Sequence, residues 1–480
     1  MRPPYLTRVA LALVLAIVSP STTPLAQTRT GREPNWTDLE AEMLRHFQSM
    51  LRLDTTNPPG NETRVVDYLA GVLKSEGIPY ETFALEPSRA NLVARIKGNG
   101  RKRPILIMGH TDTVTVEPAK WTFAPFSATR DGGYIYGRGS LDDRPHVLAG
   151  LMTMLELKRL NVALDRDVIF LAEAGEEGTT RVGIDFMVDQ HFDAIDAEYC
   201  LAENGFIQRR EGRIESAQVA TTEKVPRTIQ LIAHGPSGHA SVPLTGNAVA
   251  HLSRAIAAAT AWQTPIRLNQ TTREYFSQMA NESSPEEATR IKTLLNGTPA
   301  QIEEVVQYWA EHTPMYNSML RTSISPTIVN AGSRVNIIPS DATATLDVRM
   351  LPDEDPEQFV HELRRVINDP AIDIKIVEFD GKQRPVGVSR IDTEAFSAIQ
   401  TAAARNYDSI VVPTMANGAS DNAQLRAKNV QCYGIGTVRD LEDGLKGFAA
   451  HGDQERIIEK ELYRFVKFNW DIVMSLARTR

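Results

Sequence analysis

Apolar positions recur along this chain with two different periods, and the two alternate. Residues 38–53, "DLEAEMLRHFQSMLRL", repeat at helical spacing, and a second helix is predicted over Thr63–Ser75. "ANLVARIKG" and "RPILIMGH" are short unbroken apolar runs of the kind that fill buried strands. "YIYGRGSLDDRPHVLAGLMTMLELKRL" predicts a strand, a glycine turn and a helix, with Pro145 in the first helical turn. "RDVIFLAEAGEEG" and "AEYCLAENG" add two more apolar strands, each running into acids. Strands alternating with helices in this way predict an α/β fold of three layers around a mostly parallel sheet.

The texture changes after residue 222. "TIQLIAHG" and "DATATLDVRML" alternate like half-exposed strands, the stretch between them is mainly helical, and "DPEQFVHELRRVI" is an amphipathic helix. With the strand "IDIKIVEF", these predict a smaller α+β domain inserted at 223–383. The first domain is then discontinuous, over 27–222 and 384–480. Within the insertion, "LNQTTREYFSQMANESSPEEATRIKTLLNGTPAQIEEVVQYWAEHTP" predicts an extra helical lid element.

Composition changes this picture little. A chain of 480 residues with 42% hydrophobic and 23% charged positions is an ordinary globular composition. A formal net charge of −8 offers no electrostatic footprint for nucleic acid. The N-terminus departs from the rest. Arg2 and Arg8 precede an apolar run from Val9 to Val18, followed by small residues and prolines, the outline of a signal peptide over residues 1–26. That run is short for a bilayer span, so the expectation is export to a periplasmic or extracellular space, with no stable membrane insertion after processing. Two cysteines, Cys200 and Cys432, cannot build a disulfide framework, and either buried thiols or a single bridge fits their apolar contexts.

The candidate chemistry stands at the strand ends. "GHTDTV" at residues 109–114 puts His110 and Asp112 two apart, hence on one face of a strand. There one side chain can bind a metal while the other orients it. Asp142 with Asp143, Glu176 with Glu177, and Glu203 follow other predicted strands, and His451 stands in "GFAAHGDQE". In open α/β sheets, ligands bind beyond the carboxyl ends of the strands. Mixed imidazole and carboxylate donors suit zinc, and two carboxylate-rich half-sites suit a two-metal centre.

In order, GHTDTV, GRGSLDD, GEEG, LAENG, GPSGHASVP, VNIIP and AAHGDQE resemble the co-catalytic di-zinc peptidase and deacylase family. That family includes glutamate carboxypeptidase, succinyl-diaminopimelate desuccinylase and aminoacylase. The long helical segment makes the carboxypeptidase S and N-acyl-amino-acid hydrolase branch the most similar. The resemblance implies that His110, Asp142, Glu177, Glu203 and His451 hold two zinc ions, with Co²⁺ or Mn²⁺ as substitutes. Asp142 would bridge the two and be joined to Asp143 by a cis peptide. It further implies Glu176 as general base, Asp112 behind His110, and His239 as an oxyanion donor. His239 would reach either its own active site or that of a partner in a homodimer built through the inserted domain. Arg349 and Asn336 would hold a substrate carboxylate, to which an arginine fork is well matched. There are two departures from the family pattern: Gly175 replaces an acid, and "RPH" at 144–146 replaces a lysine-containing segment.

The expected activity is therefore hydrolysis of a peptide or N-acyl amide bond beside a free carboxylate, on small peptides or N-acyl amino acids. An aminopeptidase or dipeptidase on the same scaffold is the alternative, against which Glu203 argues mildly. A binding protein that has lost catalysis would lack the base or a ligand, and none is missing here.

Overall fold

The computed structural model describes Met1 and residues 33–377 and 384–479; beyond Met1, the predicted leader at 1–26 lies outside the described residues. No helix among those described is long and apolar enough to cross a membrane. The main sheet runs in the order Tyr80–Ala84, Ala90–Ile96, Val168–Glu173, Ile105–His110, Tyr199–Ala202, Gln431–Gly434, Arg213–Glu223, Phe206–Arg210, Val438–Asp440. A further strand, Val411–Ala416, pairs with Arg213–Glu223. Its centre, from Val168–Glu173 to Gln431–Gly434, is parallel throughout, so these strands all end on one edge.

Side-chain alternation explains the layers. Ile105, Ile107, Val168 and Phe170 pack beneath the helices Trp36–Leu51, Thr63–Ser75, Arg144–Arg159, Glu394–Tyr407 and Glu459–Ala477. Leu106, Met108, Ile169 and Leu171 face the other way, against Ile184–Gln190 and Asn422–Ala427. Burying a side chain of this kind is worth roughly 1.5–3 kcal/mol. Strands covered on both faces have no reason to alternate polar and apolar, hence the unbroken runs in the sequence. Cys200 and Cys432 are neighbours across the Tyr199–Ala202 and Gln431–Gly434 pair, as buried free thiols.

The inserted part is built on a second, antiparallel sheet ordered Ser323–Ala331, Asp341–Met350, Val225–His234, Ile372–Val377. One face is covered by the helices Ala248–Ala261 and Pro356–Ile367, whose first turns are capped by Asn247 and Asp355. The sheet spans Val225 to Val377, and the return segment 378–383 lies outside the described residues.

The segment expected as a lid is four short helices, Gln270–Glu282, Pro285–Asn296, Pro299–His312 and Pro314–Leu320. They close around Tyr275, Phe276 and Trp309, and one side of that cluster is completed by Val412 and Met415 of the main sheet. The segment thus rests on the first domain. At the crossing point Lys224 is buried, and its Nζ donates to the carbonyls of Ser318 and Arg321 and to Ser323 Oγ, at 2.9–3.0 Å. Burial pushes this amine down to about 7.

Candidate metal centre

Each predicted ligand leaves a strand or a turn on the same edge of the main sheet. His110 is the last residue of Ile105–His110, and Glu203 follows Tyr199–Ala202 directly. Asp142 stands in the glycine turn before Arg144–Arg159, and its bond to Asp143 is cis. Glu176 and Glu177 follow Val168–Glu173 after a turn in which Gly175 has φ +82°, where a Cβ would collide with the carbonyl of Thr179. A side chain at position 175 would therefore strain this turn.

Asp142 lies between two imidazoles. Its Oδ1 is 2.8 Å from His110 Nε2 and its Oδ2 is 3.2 Å from His451 Nε2. Glu177 Oε1 is 2.9 Å from the same His451 nitrogen, and Glu203 Oε2 is 4.0 Å from His110 Nε2. One carboxylate between two half-sites, each with its own histidine and its own glutamate, fits a dinuclear centre with Asp142 as the shared ligand.

Charge supports the same reading. Burial, with the negative charges of Glu176 and Asp142, pushes Glu203 well above the usual carboxylate range. Hydrogen bonding to Asp142 and Glu177 raises His451 to about 10. Glu176 is raised by burial and by the nearby Asp421, with His110 and Arg384 pulling the other way. Three candidate ligand carboxylates, largely withdrawn from water, against two imidazoles leave a negative surplus that divalent cations would neutralise.

Asp112 does more than orient a ring. Its carboxylate lies 3.3 Å from His110 Nδ1, and it accepts from Asn57 Nδ2 (2.8 Å) and from the backbone amides of Glu176 (3.1 Å) and Glu177 (3.0 Å). One buried side chain therefore sets both a histidine and the turn carrying both glutamates. Asp112→Asn should keep the fold and weaken metal binding about 10- to 100-fold, the usual cost of losing a partner behind a ligand. Unchanged affinity in a competitive chelator titration would refute that assignment.

Residues 106–475 match the sequence pattern of peptidase family M20/M25/M40. The chain belongs to this family. It is 27% identical over 389 residues to a "Probable carboxypeptidase S-like 2" of Dictyostelium discoideum, covering 78% of this chain and 72% of that one. It is 24% identical over 385 residues to the human "N-fatty-acyl-amino acid synthase/hydrolase PM20D1", covering 78% and 74%. Among solved structures, the M20 family metallo-carboxypeptidase Sso-CP2 from Sulfolobus solfataricus superposes with a TM-score of 0.68 at 20% identity, over 91% of this chain and 99% of that one.

In this M20-family chain Asp142, Glu176, Glu177, Glu203 and His451 of the candidate cluster line a cleft of about 800 Å³. Arg349 lines the same cleft, its guanidinium paired with Asp347 at 2.9 Å. His239 and Asn336 do not. They sit together in exposed loops, where Gly238–His239 pairs with Ile337–Ile338 as a separate two-stranded ribbon and the Ala240 amide donates to the Asn336 carbonyl. Neither lines the cleft within one chain, because their loops hang from the far end of the strands whose near ends form the cleft wall.

Three contributors escaped the sequence reading. Asn57 joins the site across a long sequence separation, its side chain donating to Asp112 and lying against Gly178. Arg384 stands 4.0 Å from Glu176, 3.6 Å from Asp421 and 3.8 Å from Glu223. The loop Asn417–Gly418–Ala419 lines the cleft after the strand Val411–Ala416, with the buried Asp421 behind it. "VVPTMANGASDN" carries the same signal as the other strand ends, an apolar run into polar residues, and could have been included on that ground.

Proposed function

We propose that the protein is a di-zinc hydrolase that cleaves a peptide or N-acyl amide bond beside a free carboxylate, as a carboxypeptidase or N-acyl-amino-acid deacylase. The observation that carries this reading is the two-walled cleft, with Asp142 between two histidines on one side and Arg349 on the other. His110, Asp142 and Glu203 would hold one ion, and Asp142, Glu177 and His451 the other. When bound, such a pair supplies Lewis-acid polarisation of the carbonyl and a lowered pKa for water.

The chain's own groups do the rest. Glu176, whose backbone amide is fixed by Asp112, accepts a proton from the attacking water and passes it to the leaving nitrogen. Arg349 holds the substrate carboxylate and so sets which amide bond faces the acids. Arg384 offers a second positive group on the same cleft. The names of the Dictyostelium and human relatives agree with this substrate class.

We further infer export, from the leader-like N-terminus, and self-association through the inserted domain. Among the described residues no strand pairs with the outer side of Ser323–Ala331, where Ile328 and Val329 are exposed, and Val242, Val335 and Ile337 are exposed near the His239 loop.

The reading is tested by measuring hydrolysis of N-acyl amino acids, free dipeptides and N-blocked dipeptides, before and after chelation and with zinc, cobalt or manganese returned. Metal-dependent release from N-blocked substrates with a free carboxylate is expected. Equal rates on carboxyl-amidated substrates would remove the carboxylate claim. Cleavage confined to peptides with a free amino terminus would establish the aminopeptidase or dipeptidase alternative.

A further inference from the structure

Asp142 and His451 must meet at one ion although they are far apart in sequence and stand on separate loops. Between those loops lies a buried ion pair with no part in the chemistry so far assigned. Glu455 is fully buried, and its Oε2 accepts from Arg138 Nη1 at 2.6 Å. Its Oε1 accepts from the backbone amides of Leu141 (2.6 Å) and Asp142 (3.3 Å), and its Oε2 also from that of Gly139 (3.3 Å). The carboxylate thus holds the turn that presents Asp142, from a position four residues beyond His451. Arg138, in the same turn, donates through Nη2 to the backbone carbonyl of His451 at 3.4 Å. Its guanidinium also lies 5.3 Å from the centre of the Trp121 ring. Each loop therefore contributes one charged side chain that grips the backbone of the other.

We infer that the Arg138–Glu455 pair is a positioning element that sets the span between Asp142 and His451, and thereby the affinity for the second metal ion. This rests on the dinuclear reading above. The geometry makes the effect larger at the ion held by His451 than at the one held by His110, although Asp142 serves both. His110 and Glu203 leave strands in the middle of the parallel sheet, where neighbouring strands fix their positions. His451 sits in a loop with φ +64° and is half exposed, so its approach to Asp142 depends on what ties the loop down. A bidentate guanidinium can serve two acceptors at once, whereas an ammonium is a single point charge.

The test is a titration of the purified full-length enzyme against zinc buffers, with zinc content and melting temperature read for holo and stripped protein. Glu455→Gln removes an acceptor for Arg138 and Gly139 and should weaken the second binding step about 10- to 100-fold and the first, which shares Asp142, by a much smaller factor. Arg138→Lys keeps the charge but cannot reach both Glu455 and the His451 carbonyl, so it should show the same selective loss, smaller in size. That variant decides the matter if Glu455→Gln fails to fold. Two unaltered binding steps in either folded variant would overturn the inference, and so would equal weakening of both steps, the mark of a merely structural role. Wild-type protein that takes up fewer than two zinc ions would instead remove the dinuclear reading itself.

Discussion

Glu176→Gln is expected to purify with a full complement of metal and to lose about 10²- to 10⁴-fold in turnover, the typical contribution of a general base. That range corresponds to roughly 3–5 kcal/mol of barrier. Glutamine has the same shape and can keep the place of the side chain near Arg384, but it cannot accept the proton from water or hand it to the leaving nitrogen. Its neighbour provides the control. Glu177 is the glutamate in contact with His451, so Glu177→Gln should lose metal first and activity as a consequence. Metal analysis beside kcat separates the two cases. Should Glu176→Gln lose metal and Glu177→Gln keep it, the two roles are exchanged. Should both keep metal and activity, neither residue works at the centre.

The candidate metal-site residues stand out in the sequence because their signal is local and repeated. An apolar run that ends in His110, or runs on into Glu176 or Glu203, is visible without knowing which strands are neighbours. Parallel strand order then brings those ends together, since parallel strands all finish on one edge. Asp142 and His451 were less a matter of pattern than of family resemblance, because each stands in a turn with no periodic signature.

What stayed hidden is long-range and polar. Asn57 reaches Asp112 across 55 positions, and Glu455 reaches Leu141 across 314, and no spacing rule forecasts either. The edge strand Ser323–Ala331 interrupts a stretch whose pattern predicts mainly helix. Pro326 lies within it, and proline counts against a strand unless that strand is at an edge or bulged. Both conditions hold: the register shifts between Pro326 and Ile328, and nothing described pairs with the outer side. The long polar helical segment was recognised as helical from its periodicity. That it rests on Val412 and Met415 follows from tertiary packing alone.

That packing bears on His239, the residue with the largest expected effect away from the metal ligands. His239→Ala should leave zinc content unchanged and lower turnover by roughly 10²- to 10³-fold, the usual loss for one oxyanion donor. Within one chain its imidazole is exposed, bonded to Ser241 Oγ at 2.7 Å and outside the cleft. It can serve an active site in two ways: the inserted sheet swings on its hinge, or a second copy of the chain supplies the loop. The hinge is braced by Lys224, which ties Val225–His234 to the end of the helical segment, and by that segment's seat on the main sheet. A large swing would have to break these buried contacts, whereas docking of a second copy on the open edge of the inserted sheet would cover apolar side chains already exposed there. Mixing His239→Ala with Glu176→Gln distinguishes the two routes. In a shared site, a mixed dimer has one active site with both the wild-type base and the partner's histidine, and activity returns on mixing. In a self-contained site every active site lacks one of the two, and no activity returns even when subunit exchange is proven by differently tagged chains. Turnover near wild type in His239→Ala alone would end the oxyanion role by either route.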